Sequence, residues 1–290
     1  MHDVFSRAPI QRYLIAVSGG IDSVVLLDKM VRAHVGDIVV AHFDHGIRED
    51  SAADARFVAA LAKRYGVSFV VRREELGARA SEERARVRRY SFLEEQAKEH
   101  SAALVTAHHA DDIIETIAIN VSRGTGWRGV AVLNNIRVMR PLLSVTKDEI
   151  RQYALTHRLE WVEDSTNATS DYLRNRIRAL IAERFLTSQK QSVLVAWKQQ
   201  LRNKIRIDEE LQKFINRNEY SRYFFVSIDS LSAAEILRAA IVAKTLQSPT
   251  RPQIDRALIA IKTAASGTLF EVGGGVTLRF TIRTFIVEIS

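Results

Sequence analysis

The chain has 290 residues, 47% of them hydrophobic, and its 42 Lys and Arg against 34 Asp and Glu leave a net charge of +8. That content suffices for one large core or two unequal domains and argues against wholesale disorder. The absence of cysteine excludes disulfides, Cys-ligated zinc, Cys-bound iron–sulfur clusters and thiol nucleophiles.

No apolar run reaches the ~18 residues of a membrane span, and the N-terminal segment lacks the layout of a signal peptide. A cytoplasmic protein with no membrane partner is therefore expected. The positive balance favours an anionic partner such as nucleic acid.

In chain order, near-continuous apolar runs at 13–17 (YLIAV), 37–43 (DIVVAHF), 67–71 (VSFVV) and 103–107 (ALVTA) suit strands buried on both faces of a parallel sheet. Between them lie helical patterns. The first follows Asp22, with Val24, Leu27, Met30 and Val31 as its apolar stripe; others cover 51–65, 82–99 and 110–122. The alternation predicts an α/β fold, a Rossmann-like parallel sheet with helices on both faces, over residues 1–188. Residues 189–215 read as a helical linker, since 189–211 is polar and free of Gly and Pro. Residues 216–290 read as a small α+β domain, with helices at 233–245 and 253–264 and strands at 269–272, 276–280 and 285–289 around the glycines 273–275.

The segment 16–23, AVSGGIDS, closes the first strand and opens the first helix. Gly19 and Gly20 permit a sharp turn and let backbone N–H groups approach an anion, while the helix N-terminus adds partial positive charge. Ser18 and Ser23 supply hydroxyls. Asp22 would repel a bare phosphate, so its expected role is Mg²⁺ ligation. This is neither the Walker loop nor the Rossmann GxGxxG.

His42, Asp44, His45, His108, His109, Asp111 and Asp112 follow strand ends and are candidate metal ligands. They support a rival reading as a metal-dependent phosphoesterase, which would leave the SGGxDS loop needing a separate explanation. Either Asp111 or Asp112 also suits a helix cap. Arg174, Arg176 and Arg178, and then Lys198, Arg202, Lys204 and Arg206, are candidate phosphate contacts for RNA. Trp127, Tyr172 and Trp197 are candidates for stacking on unpaired bases. A non-catalytic RNA-binding module is thus a further alternative.

The SGGxDS loop resembles the pyrophosphate loop of the N-type ATP pyrophosphatases. The segments HFDHGIR (42–48), EERARVRRY (82–90), TAHHADDIIET (106–116), RGTGWRG (123–129), RPLL (140–143) and WVEDSTNATSDYLRNRIR (161–178) resemble, in order and spacing, the blocks of the tRNA(Ile)-lysidine synthetases. The resemblance is strong over 13–180 and weaker beyond, and it is to the short form of that family. It implies a ligase that uses ATP, Mg²⁺ and L-lysine to convert the wobble cytidine of a tRNA(Ile) with a CAU anticodon to lysidine, releasing AMP and pyrophosphate. It implies ATP binding by Ser18, Gly19, Gly20, Ile21, Asp22, Ser23 and His42, with Asp22 also holding the metal.

It further implies lysine binding by Asp112 and Glu115, and catalytic roles for Asp22, Arg86 and Asp112. A spacing of three places the two acids on one helix face, where they suit a substrate with two ammonium groups. Arg174, Arg176, Arg178 and Arg202 are expected to contact tRNA, as is the C-terminal domain. Ile113 departs from the family, which usually has a polar residue there. The oligomeric state is left open, a homodimer being one option.

Overall fold

A computed structural model describes residues 12–46, 51–77, 81–133, 135, 137–163, 172–215, 217–245 and 248–289; the side chains at 51, 82, 172–175 and 182 also lie outside the description. The chain divides into two compact units, residues 1–200 and 201–290.

In the first unit β1 (Arg12–Ala16), β2 (Asp37–Asp44), β3 (Ser68–Arg73), β4 (Ala103–Val105) and β5 (Val138–Met139) form one parallel sheet in the order β3-β2-β1-β4-β5. Period-two alternation explains the apolar runs. Tyr13, Ile15, Ile38 and Val40 face one core together with Val24, Leu27, Leu61 and Ile150. Leu14, Val39, Ala41 and Phe43 face another with Phe92 and Leu93. Helices α1 (Ile21–Arg32), α2 (Ser51–Tyr65) and α5 (Lys147–Thr156) therefore cover one side, and α3 (Glu82–Glu99) the other. Helix α4 (Ala110–Ser122) follows β4 and packs on α6 (Tyr172–Arg184).

A buried acid joins the three helices on the first face. Asp28 of α1 accepts hydrogen bonds from Arg32 Nε, Tyr65 Oη and Tyr153 Oη, each at 2.7 Å. Burial alone would raise its pKa, but these three donors hold it below the ordinary carboxylate value. The Tyr153 hydroxyl is pushed up to about 12, by burial first and then by its bond to Asp28.

Helix α7 (Thr187–Ile215) crosses the division between the units. The second unit carries an antiparallel sheet, β6-β9-β8-β7, of β6 (Tyr220–Ser221), β7 (Leu269–Glu271), β8 (Val276–Phe280) and β9 (Thr284–Ile289), with α8 (Arg222–Ser227), α9 (Ser230–Thr245) and α10 (Arg251–Thr263). Phe225, Leu237, Ile254, Phe280 and Phe285 lie in its core. Arg222 ties α10 to the β8–β9 turn, donating to the carbonyls of Ile261, Ala264 and Thr281. The α/β architecture and the α+β module match the expectation, while β5 and β6 were not foreseen: two residues show no alternation to read. Among the described residues no helix is long and apolar enough to cross a membrane.

Candidate functional site

The order 3-2-1-4-5 reverses between β1 and β4, and ligands of open α/β sheets bind beyond the strand ends at that point. Two loops leave the sheet there. One is 17–20, which enters α1; the other is 106–109, which enters α4.

The first loop is fixed by its own serines. Ser23 Oγ donates to the Gly20 carbonyl at 2.8 Å and accepts the Ser18 N–H at 3.2 Å, and the Gly20 N–H donates to Ser18 Oγ at 3.3 Å. Gly19 adopts φ +94°, a conformation that strains any residue with a Cβ. Its carbonyl accepts the Val162 N–H at 3.0 Å. The amides of Gly19, Ile21 and Asp22 stay outside this internal network, at the positive end of α1. His42, buried near the end of β2, donates its Nδ1–H to the Val17 carbonyl at 2.8 Å.

Asp22 opens α1, and its Oδ1 lies 2.5 Å from Lys147 Nζ and 3.7 Å from His109 Nε2. His109 is the N-cap of α4. Its N–H donates to Asp112 Oδ2 at 2.9 Å, so Asp112 reaches back over its own helix start, and His109 Nε2 is 3.6 Å from the same oxygen. Asp111 turns the other way. Its Oδ2 accepts the Lys147 N–H at 2.8 Å and its Oδ1 accepts Lys190 Nζ at 2.6 Å. Its pKa, which burial alone would raise, is lowered by those two bonds and the Lys190 charge.

One turn further along α4, the buried Glu115 is held by Arg178 of α6, through Nε at 3.2 Å and a second nitrogen at 3.1 and 3.3 Å.

A basic cluster flanks this corner. Burial pushes His108 down to about 4; Asp112 opposes this, while Arg140, Arg86 and Arg89 add to it. His108 Nδ1 is 2.8 Å from Thr106 Oγ1. The Arg86 guanidinium lies 5.0 Å from the centre of the Tyr90 ring and that of Arg89 5.8 Å. Arg140, lowered mainly by burial, donates to the carbonyls of Leu133, Asn135 and Val138. Arg88 is paired with Glu74 instead.

The structure thus gathers Ser18 to Ser23, His42, Asp22, Asp112 and, through His108, Arg86 around the switch point. It pairs Glu115 and Arg178, which the sequence had assigned to different ligands. Arg176 and Arg202 are exposed. The side chain of Arg174 lies outside the described residues, as do those of Tyr172 and of 164–171. Trp197 is buried and donates its indole N–H to the Val132 carbonyl at 3.0 Å, so it is a packing residue. Trp127 is half-buried beside Arg128. Lys147 and Lys190 were missed. A lysine inside a run of ordinary helical composition carries no signal until its partner is known.

The phosphoesterase alternative needs several of the His and Asp groups to converge. Asp44 is occupied as a turn residue, accepting the Gly46 N–H at 2.9 Å, with Arg73 3.6 Å away. Gly46 itself has φ +61°, and a Cβ there would meet Glu75 at 2.9 Å. Among the described residues no three such side chains come together as a metal-binding group.

A glycine turn feeding a helix at the switch point of a 3-2-1-4-5 sheet defines a nucleotide-binding α/β domain. The model of the PP-loop domain matches residues 1–185, and the chain belongs to that family. It is 31% identical to a tRNA(Ile)-lysidine synthase of Haemophilus ducreyi over 87% of this chain and 62% of that protein. It is 38% identical to one of Novosphingobium aromaticivorans, over 60% of this chain and 57% of the other. With the bifunctional protein TilS/HprT of Listeria monocytogenes it shares 38% identity over 58% of this chain and 28% of that protein.

The chain thus spans less than two thirds of these relatives. Among solved structures, the tRNA thiolase NcsA of Methanococcus maripaludis with its [4Fe-4S] cluster has the same fold, with a TM-score of 0.57 at 15% identity over 69% of this chain and 76% of that one.

Proposed function

We propose that this protein is an ATP-dependent tRNA(Ile)-lysidine synthase. The observation that carries the reading is the meeting, at one switch point, of the SGGxDS loop and the His109–Asp112 corner, in a PP-loop chain whose relatives bear that name. Residues 1–188 would be the catalytic domain, 189–215 a linker, and 216–290 a tRNA-contacting domain.

In the proposed reaction the C2 oxygen of the wobble cytidine attacks the α-phosphate of ATP and pyrophosphate leaves. The ε-amine of free L-lysine then attacks C2 and AMP leaves. The open amides of Gly19, Ile21 and Asp22, with Ser18, Gly20, Ser23 and His42 shaping the loop, suit the pyrophosphate end of ATP. Asp22 suits Mg²⁺, which is commonly held by one or two carboxylates plus substrate phosphates and keeps several waters. The ion would screen phosphate charge during attack. Arg86 suits negative charge developing at the α-phosphate.

Asp112, 29% exposed and capping its own helix through one oxygen, suits an ammonium group. Glu115, already engaged by Arg178, would serve lysine by sharing or exchanging that partner. Arg176, Arg202 and the neighbouring basic residues suit tRNA phosphates, and Arg178 and Arg174 are assigned with them. A cytoplasmic location follows from a tRNA substrate.

The test is ATP–pyrophosphate exchange with purified protein. Exchange that requires tRNA(Ile), with AMP released only when lysine is added, supports the reading. Phosphate release from simple esters without tRNA would favour the phosphoesterase, and tRNA binding without exchange the non-catalytic module.

A further inference from the structure

Asp111 stands beside Asp112 but holds neither nucleotide nor lysine in the proposed reaction. Both its oxygens are engaged, one by the backbone N–H of Lys147 at the start of α5 and the other by Lys190 Nζ in the first turn of α7. Lys147 sends its ammonium the opposite way, to Asp22 in the PP loop. One lysine is therefore held at its backbone by one carboxylate and at its side chain by another. Of two acids near one lysine, the less neutralised attracts its ammonium more strongly.

Lys190 is the charge that neutralises Asp111. The Lys190 and Asp111 side chains are only 17% and 18% exposed, so water screens the pair little. The placement of Lys190 is enforced a second time by Trp197. Seven residues later and on the same helix face, its buried indole is bonded to the Val132 carbonyl. Without Lys190, Asp111 would draw the Lys147 ammonium away from Asp22 and leave an uncompensated charge near the triphosphate.

We propose that Lys190 is a positioning residue of the nucleotide site: by neutralising Asp111 it leaves the Lys147 ammonium to Asp22 and the PP loop, and so links the first turns of α7 to ATP binding. This rests on the reading that residues 18–23 bind ATP.

The experiment measures the Kd of Mg·ATP by calorimetry on the full chain, without tRNA or lysine, alongside thermal unfolding. Lys190→Met and Lys190→Gln should each weaken ATP by roughly tenfold, the size of coupling seen between charged neighbours. Adding Asp111→Asn to either should bring affinity back to within about threefold of the unmodified protein, because the amide oxygen still accepts the Lys147 N–H but no longer competes for its ammonium.

A purely structural role would leave the double variant no tighter than the single. That outcome, or unchanged affinity in the single variants, overturns the proposal. Should Lys190→Met not fold, Lys190→Gln carries the comparison. Failure of the unmodified protein to bind ATP would instead overturn the nucleotide reading itself.

Discussion

Arg178 clasps Glu115 across the α4–α6 packing, with the Glu115 side chain 9% exposed and that of Arg178 50% exposed. The asymmetry matters, since removing the exposed partner takes a counter-charge from a buried carboxylate. Arg178→Met should cost about 2 kcal/mol in urea unfolding, and Glu115→Gln less, because it removes the buried charge. The double variant should cost less than the sum of the two. Strict additivity would show that the pair contributes no coupling. If Glu115 also serves lysine, Glu115→Gln should raise the KM for lysine and leave ATP binding nearly unchanged.

Asp22→Asn should lower tRNA-dependent AMP formation by about a thousandfold, the scale expected for loss of a central electrostatic contact. tRNA binding, measured by filter retention, should persist. Full activity in this variant would remove Asp22 from the metal and phosphate assignment.

His108 gives a pH signature. Its folded pKa of about 4 lies below the ordinary value of 6.5, so between these values the unfolded chain binds more protons than the folded one. Stability is therefore full above about pH 6.5 and falls as the pH drops towards about 4, by about 3 kcal/mol. Urea unfolding across that window should show the fall, and His108→Gln should flatten it. An equal slope in both proteins would place the titration elsewhere.

Binding of tRNA should be mainly electrostatic, given the charge of +8 and the exposed Arg176, Lys198, Arg202 and Arg206. Affinity should fall steeply between roughly 50 and 200 mM salt, in proportion to the phosphates neutralised. A flat dependence would exclude a phosphate-led interface. Arg202→Ala should reduce the slope by about one phosphate contact.

Much of the first unit could be read directly. The runs at 13–17 and 37–43 mark β1 and β2 because strands buried on both faces have no polar side to show. Helices 51–65, 82–99 and 110–122 coincide with α2, α3 and α4. The loop around Gly19 was legible because a positive φ before a helix demands a residue type that few other sites demand. Trp197 was read as a stacking candidate and is instead packed, because an aromatic ring in an amphipathic helix serves either purpose until its neighbours are known.

The sequence by itself determined the strand–helix alternation, the anion-binding turn and the acids of α4, all of which depend on residues close together in the chain. Only the tertiary structure decided which charges meet. Asp22 finds Lys147 across 125 residues, Asp111 finds Lys190 across 79, and Glu115 finds Arg178 across 63. A carboxylate at a helix start offers the same local pattern whether it will hold a metal, a substrate or a distant lysine. Its partner is fixed by which loops the sheet order brings to one edge and by how deeply the packed helices bury the pair, since burial is what makes one pairing outweigh another.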